Sequence, residues 1–151
     1  MSNDYKKKYT IGALFTPELD LVLLIEKQRP DWQKGKLNLP GGHIEEGETS
    51  AECVRREFNE EVGVDIDTWL HVGKIDNAGN YYVDFFAAII PEGMAVNAKT
   101  LTDEEVDWYE VYDLPAKCIS NLHWLVPFAA NMLQQGNHDF LTFGHFSYEY
   151  R

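Results

Sequence analysis

A chain of 151 residues with 44% hydrophobic and 13% aromatic side chains is too apolar for wholesale disorder and carries no repeat of a fibrous protein. One core of this size buries roughly 68–70% of the surface the unfolded chain exposes, and two cysteines, Cys53 and Cys118, are too few for a disulfide framework. A formal charge of −12 argues against unassisted binding to a nucleic-acid polymer or an anionic membrane, because phosphate surfaces select Lys and Arg.

Taken in chain order, the start has a basic cluster, Lys6-Lys7-Lys8, with no apolar leader region behind it. Tyr9–Phe15 and Leu21–Ile25 are short runs of strand formers separated by the turn-like Thr16-Pro17-Glu18-Leu19-Asp20. Residues 29–36 read as a polar loop. Thr49-x-x-Glu52 is a capping-box pattern, Ala51, Val54, Phe58 and Val62 recur at helical spacing, and Gly63 suits the left-handed position that ends a helix. Trp69–Asp76 and Tyr81–Pro91 read as strands joined by a hairpin turn at Asn77-Ala78-Gly79-Asn80. Residues 92–105 read as a loop and Val106–Tyr112 as a strand. Leu122, Leu125, Val126, Ala129 and Leu133 mark a second helix ending near Gly136, and a last strand is expected over Phe140–Tyr148. No run approaches a membrane span and no linker divides the chain. The expectation is one α+β domain over residues 1–151, a mixed sheet flanked by helices, in a reducing, cytoplasmic setting.

The chemistry concentrates between Gly42 and Val64. On a helix, Glu57 and Glu61 are displaced by about 40° and Glu60 lies about 60° to the other side, so the three carboxylates share one face. That face is expected opposite the apolar stripe. Three such carboxylates repel and raise one another's pKa unless a cation sits among them, and Mg²⁺ prefers oxygen ligands. Arg56 lies beside them, and Glu48 is placed to brace that arginine. A run of Glu on a helix is most often a solvated face. Here the surrounding residues argue otherwise: Gly42, Glu48, Arg56, Glu57, Phe58, Glu60, Glu61, Gly63 and Val64 stand at fixed offsets.

Those offsets resemble the Nudix box, G-x5-E-x7-R-E-U-x-E-E-x-G-U with U a bulky apolar residue, at every defined position. The resemblance implies an α/β/α sandwich and hydrolysis of a nucleoside diphosphate linked to another moiety, with Mg²⁺ as cofactor and Mn²⁺ as its substitute. It implies that Glu57, Glu60 and Glu61 bind metal together with the Gly41 carbonyl, and that Glu48 and Arg56 support them. It also implies a further carboxylate from a later loop, for which Glu104 is the first choice, ahead of Asp103 and Glu105. Metal ions would screen an anionic substrate from an anionic protein.

The stretch Lys36-Leu37-Asn38-Leu39-Pro40-Gly41-Gly42 resembles the approach to the box in MutT-like members, which destroy oxidised purine nucleoside triphosphates. That places Asn38 and Asn121 as base-contacting residues; the competing reading is that Asn38 bonds its own turn and Asn121 caps a helix. Phe15, Trp32, Tyr82 and Trp124 are candidates for stacking on a base, against the commoner fate of core packing. Lys27, Arg29 and Lys36 are the nearest cations to a pyrophosphate. Position 79 is glycine where ADP-ribose-cleaving relatives tend to carry proline, and Tyr81 and Tyr82 stand near the tyrosine of relatives acting on dinucleoside polyphosphates. The expected substrate is thus a small nucleotide, most simply a triphosphate cut to its monophosphate and pyrophosphate. Dinucleoside polyphosphates and a non-catalytic nucleotide sensor are the alternatives, and a homodimer is an assembly frequent in the family.

Overall fold

The computed structural model describes residues 7–77, 80–96, 102–135 and 144–147. Strand β1 (Lys7–Phe15) turns into β2 (Leu21–Glu26), with the Thr16 hydroxyl donating to Asp20 Oδ1 at 2.7 Å across the turn. A 3-10 turn (Asp31–Gln33) and two very short strands, β3 (Leu37–Asn38) and β4 (Gly41–His43), lead into helix α1 (Ser50–Val62). The hairpin of β5 (Leu70–Asn77) and β6 (Tyr81–Ile89) follows, then β7 (Val106–Glu110), helix α2 (Leu122–Gln135) and β8 (Gly144–Ser147).

These strands form one mixed eight-stranded sheet among the described residues. Its centre is β1, which runs parallel to β6 in continuous register from Lys7 opposite Tyr81 to Phe15 opposite Ile89. On its other side β1 pairs with β2 at Phe15 and Val22 and with β4 over Tyr9–Ile11, both antiparallel. Strand β7 extends the sheet antiparallel to β2, and β8 extends it parallel to β5.

Alternation along the central strands supplies two apolar faces. On one, Val54, Phe58 and Val62 of α1 pack against Leu14, Leu23, Ile25, Phe86 and Ala88. On the other, Leu122, Leu125, Val126, Ala129 and Ala130 of α2 pack against Ala13, Phe15, Val22, Leu24, Phe85 and Ala87. The layers are α/β/α, as expected. Gly12 sets the approach of α1: a Cβ there would lie 2.6 Å from the Phe58 ring and 2.9 Å from that of Trp69.

The structure corrects the sequence reading at several places. Ala51 is exposed, and Cys53 takes its place in the buried stripe. The strand expected over Tyr81–Pro91 stops at Ile89, and the one over Val106–Tyr112 stops at Glu110. Strand β1 starts earlier than expected, at Lys7, and β3 and β4 lie in a stretch for which no strand was expected. Parts of the hairpin turn (78–79), the loop before β7 (97–101), the end of the second helix at 136 and most of the last strand (140–143 and 148) lie outside the described residues. Among the described residues no helix is long and apolar enough to cross a membrane.

Candidate active site

Helix α1 is pinned at both ends. The Thr49 side chain accepts from the Glu52 N–H at 3.1 Å, and its hydroxyl donates to Glu52 Oε1 at 2.9 Å. Such a cap contributes about 1 kcal/mol. The carboxylate thus closes on the capping hydroxyl rather than on the backbone N–H at Thr49, which is where a capping box would send it. Gly63 ends the helix at φ 75°, its N–H shared between the carbonyls of Phe58 and Asn59.

The carboxylates do not lie opposite the apolar stripe. At 100° per residue Glu61 falls within about 20° of Val54, so it shares the buried side, and Glu57 flanks it. Glu57 and Glu61 are half-buried while Glu60 is exposed. Burial separates three residues that the sequence presents as equals.

Arg56 organises the outer part. Its Nε and Nη2 donate to Glu48 Oε2 and Oε1 at 2.6 and 3.0 Å, a bidentate pair. Its Nη1 reaches Glu57 Oε1 at 3.0 Å and Glu60 Oε2 at 3.2 Å, and Nη2 also donates to the His43 carbonyl at 3.2 Å. The hydrogen bonds from Arg56 hold the Glu48 carboxyl down at about 2, and those carboxylates raise the guanidinium pKa further.

Glu61 is the opposite case. Burial, then the charges of Glu57 and Glu104, push its carboxyl up to about 8 against the pull of Lys27 and the Gly41 N–H. Its Oε2 is buried and has no hydrogen-bond partner among the described residues. Burial also raises Glu57, with Arg56 opposing. A Cβ on Gly41 would collide with the Thr10 carbonyl, so that glycine is needed for the close approach of β4 to β1, while one on Gly42 would displace the Glu57 carboxylate.

An orphaned, buried carboxylate oxygen beside further carboxylates and a peptide group is a donor set of hard oxygens, which fits Mg²⁺ or Mn²⁺. Among the described residues no three acidic, His or Cys side chains already converge on one point. Glu60 is turned onto Arg56, and Glu104 onto Lys27 Nζ (3.4 Å) and the Gln28 N–H (2.6 Å).

Of the three acidic residues before β7, Glu104 alone is buried, and its charge is felt at Glu61. Asp103 pairs with Arg29 on the surface, and Glu105 is exposed. Arg29 is therefore committed to Asp103 and does not line the cavity next to the box.

That cavity has a volume of 560 Å³ and adjoins the acidic group at Gly41, Gly42 and Lys27. Asn38 and Asn121 both line it, although they are far apart in sequence. Asn38 is also bonded locally, accepting from the Leu39 N–H at 2.8 Å and donating to Gln33 Oε1 at 3.1 Å. Asn121 Oδ1 is buried without a partner among the described residues, while its carbonyl receives the Leu125 N–H of α2 at 3.0 Å. Tyr82 is not in the cavity wall. Tyr81 is, because neighbours on a strand face opposite sides, and Lys74 Nζ instead lies 4.1 Å over the Tyr82 ring. Trp32 lines the cavity and is 58% exposed; Phe15 is core and Trp124 lies elsewhere. Gln33, on the 3-10 turn, is a wall residue that sequence reasoning missed, and of the two tyrosines it named, strand parity puts Tyr81 rather than the chosen Tyr82 in the wall.

The sequence profile described as NUDIX domain matches residues 6–135. The chain belongs to the Nudix family. The human protein named "8-oxo-dGDP phosphatase NUDT18" is 34% identical over 137 residues, covering 86% of this chain and 41% of that protein. This Nudix chain therefore spans less than half the length of that curated relative. Among solved structures, the NUDIX hydrolase from Nitrosomonas europaea superposes with a TM-score of 0.70 at 16% identity, covering 97% of this chain and 81% of its own. The MutT protein from Bacillus halodurans does so with a TM-score of 0.65 at 24% identity, covering 95% and 90%. Both support the Nudix fold described above.

Proposed function

We propose that the chain is a divalent-metal-dependent pyrophosphohydrolase that cuts a purine nucleoside polyphosphate, in an oxidised form, next to its α-phosphate. The observation that carries this reading is the adjacency of the orphaned, buried Oε2 of Glu61 to a 560 Å³ cavity walled by two amides, Asn38 and Asn121, the two meeting at Gly41 and Lys27. One end suits a metal-bound diphosphate and the other a purine edge.

Glu57, Glu60, Glu61, the Gly41 carbonyl and Glu104 would hold Mg²⁺ or Mn²⁺. When bound, the cation neutralises phosphate charge and lowers the pKa of a coordinated water. Glu48 fixes Arg56, and Arg56 holds Glu57 and Glu60; to join Glu61 on a cation, Glu60 and Glu104 would turn from Arg56 and Lys27. Glu61, whose affinity for a proton is raised by its surroundings, is suited to receive one from the attacking water. Lys27, on the cavity wall, is suited to a phosphate oxygen, and Trp32 offers an exposed indole for stacking.

The triphosphate would give the monophosphate and pyrophosphate. The name of the human relative favours a second substrate, the diphosphate, which would give the same monophosphate and inorganic phosphate. The deciding experiment is a hydrolysis panel of oxidised and normal nucleoside di- and triphosphates, dinucleoside polyphosphates and ADP-ribose with Mg²⁺, products separated by chromatography. Monophosphate formed from oxidised purine nucleotides and abolished by EDTA is the expected result. Binding without turnover across the panel would make the protein a nucleotide sensor.

A further inference from the structure

The 3-10 turn carries a side chain that the proposed reaction does not use. Gln33 Oε1 accepts from Asn38 Nδ2 at 3.1 Å, and both residues line the cavity. A third group decides which way the Asn38 amide points. The Leu39 N–H can only donate, and it meets Asn38 Oδ1 at 2.8 Å. The opposite end is then the NH₂ group, with one hydrogen committed to Gln33. Leu39 alone would hold this amide at a single point; the bond to Gln33 stops it turning about that point. What the lock presents to the ligand is the second Asn38 N–H, a donor.

We infer that Gln33 is a positioning residue that sets purine selectivity by locking the Asn38 amide with its donor end toward the ligand. This rests on the nucleotide reading given above and deepens it. That N–H pairs with the carbonyl at C6 of a guanine-type base. The amino group at C6 of an adenine-type base sets donor against donor, and both are left unpaired. Trp32, exposed on the same turn and lining the same cavity, supplies a flat surface for a base of either type. The turn thus contributes a stacking face that accepts any purine and a polar lock that chooses between them.

The test compares kcat/KM for 8-oxo-dGTP and 8-oxo-dATP, with Mg²⁺, in the wild type, Gln33→Ala and Gln33→Glu. The wild type should favour the guanine-type nucleotide by about tenfold or more, as expected where a site built around a hydrogen bond meets the wrong partner. Gln33→Ala should cut that ratio at least about fivefold by freeing the amide. Gln33→Glu keeps an acceptor for Asn38 Nδ2 and should keep the ratio, whatever it does to the absolute rate. An unchanged ratio in Gln33→Ala, an equal loss in Gln33→Glu, or a wild type that favours the adenine-type nucleotide would each overturn the inference. Turnover with an intact ratio in Gln33→Ala removes Gln33 alone, whereas a wild type that hydrolyses no nucleotide removes the functional reading and this inference with it.

Discussion

Glu48, just before helix α1, and Glu61, in its last turn, are the same residue type, and the fold treats them in opposite ways. Glu48 is met by two nitrogens of Arg56 and held at about 2, whereas Glu61 has an oxygen with no partner among the described residues and is pushed to about 8. The first is a finished interaction that positions other groups. The second is unfinished, its buried oxygen suited to a cation or a proton. Support and chemistry are thus assigned by burial and by the reach of one arginine, not by residue type.

The largest expected effect comes from removing the unfinished group. Glu61→Gln should lower kcat by about three orders of magnitude or more while circular dichroism and the melting transition show an intact fold. A rate within a few fold of the wild type would end the comparison, since Glu61 would then be an ordinary half-buried acid. Next comes the finished pair. Glu48→Gln removes the charge and one of the two acceptors that Arg56 meets, and should cost about 10–100-fold in activity or metal affinity, the range for a group that orients a ligand. An effect as large as that of Glu61→Gln would show that Glu48 does more than support.

A third perturbation moves both regions together. Gly12→Val places a side chain where the Phe58 ring lies and displaces α1 as a unit, so it should cost about 1–3 kcal/mol in stability, read from denaturant unfolding. Activity should fall in proportion for every substrate.

The last effect is in the pH dependence of metal-free stability, and it has opposite signs at the two residues. Raising the folded pKa of Glu61 from 4.5 to about 8 makes its contribution fully present below 4.5 and lost as pH rises from 4.5 toward 8. Lowering that of Glu48 from 4.5 to about 2 makes its contribution present above 4.5 and lost as pH falls toward 2. Melting curves of the metal-free wild type should therefore lose ground to Glu61→Gln on the alkaline side, and Mg²⁺ should reverse that loss by mass action. Glu48→Gln should lie below the wild type above pH 4.5, with the gap narrowing on the acid side.

Much of this was legible in the sequence, for reasons that differ by region. The box is local: helix spacing, a cap at Thr49 and a stop at Gly63 are all encoded within Gly42–Val64, so α1 and its carboxylates could be placed without tertiary knowledge. The depth of each carboxylate was not local. Glu61 is half-buried because it falls beside Val54 and because β4 packs on α1, its Gly41 N–H reaching the carboxylate, and the sequence reading put it on the wrong side of the helix. Strands β3 and β4 escaped detection because two or three residues hold their conformation only through partners far away, Gly41–His43 through Tyr9–Ile11. The paired tyrosines at 81 and 82 gave the right strand and the wrong face, since a one-residue shift exchanges the sides. The two asparagines were identified from resemblance alone; only the fold reveals that both border one cavity.

The register of β1 on β6 has a consequence for how the chain acquires this architecture. Residues 7–15 find their parallel neighbours only at 81–89, so the central ladder closes a loop that contains the entire carboxylate helix. Such long-range pairing incurs its loop entropy before it is rewarded, which slows folding relative to chains built from local contacts. On the ribosome, the first strand and the box must emerge and wait without their parallel neighbour until the sixth strand is made. A nascent chain ending before Tyr81 has the acidic motif in full and lacks the partner strand that completes the platform beneath it.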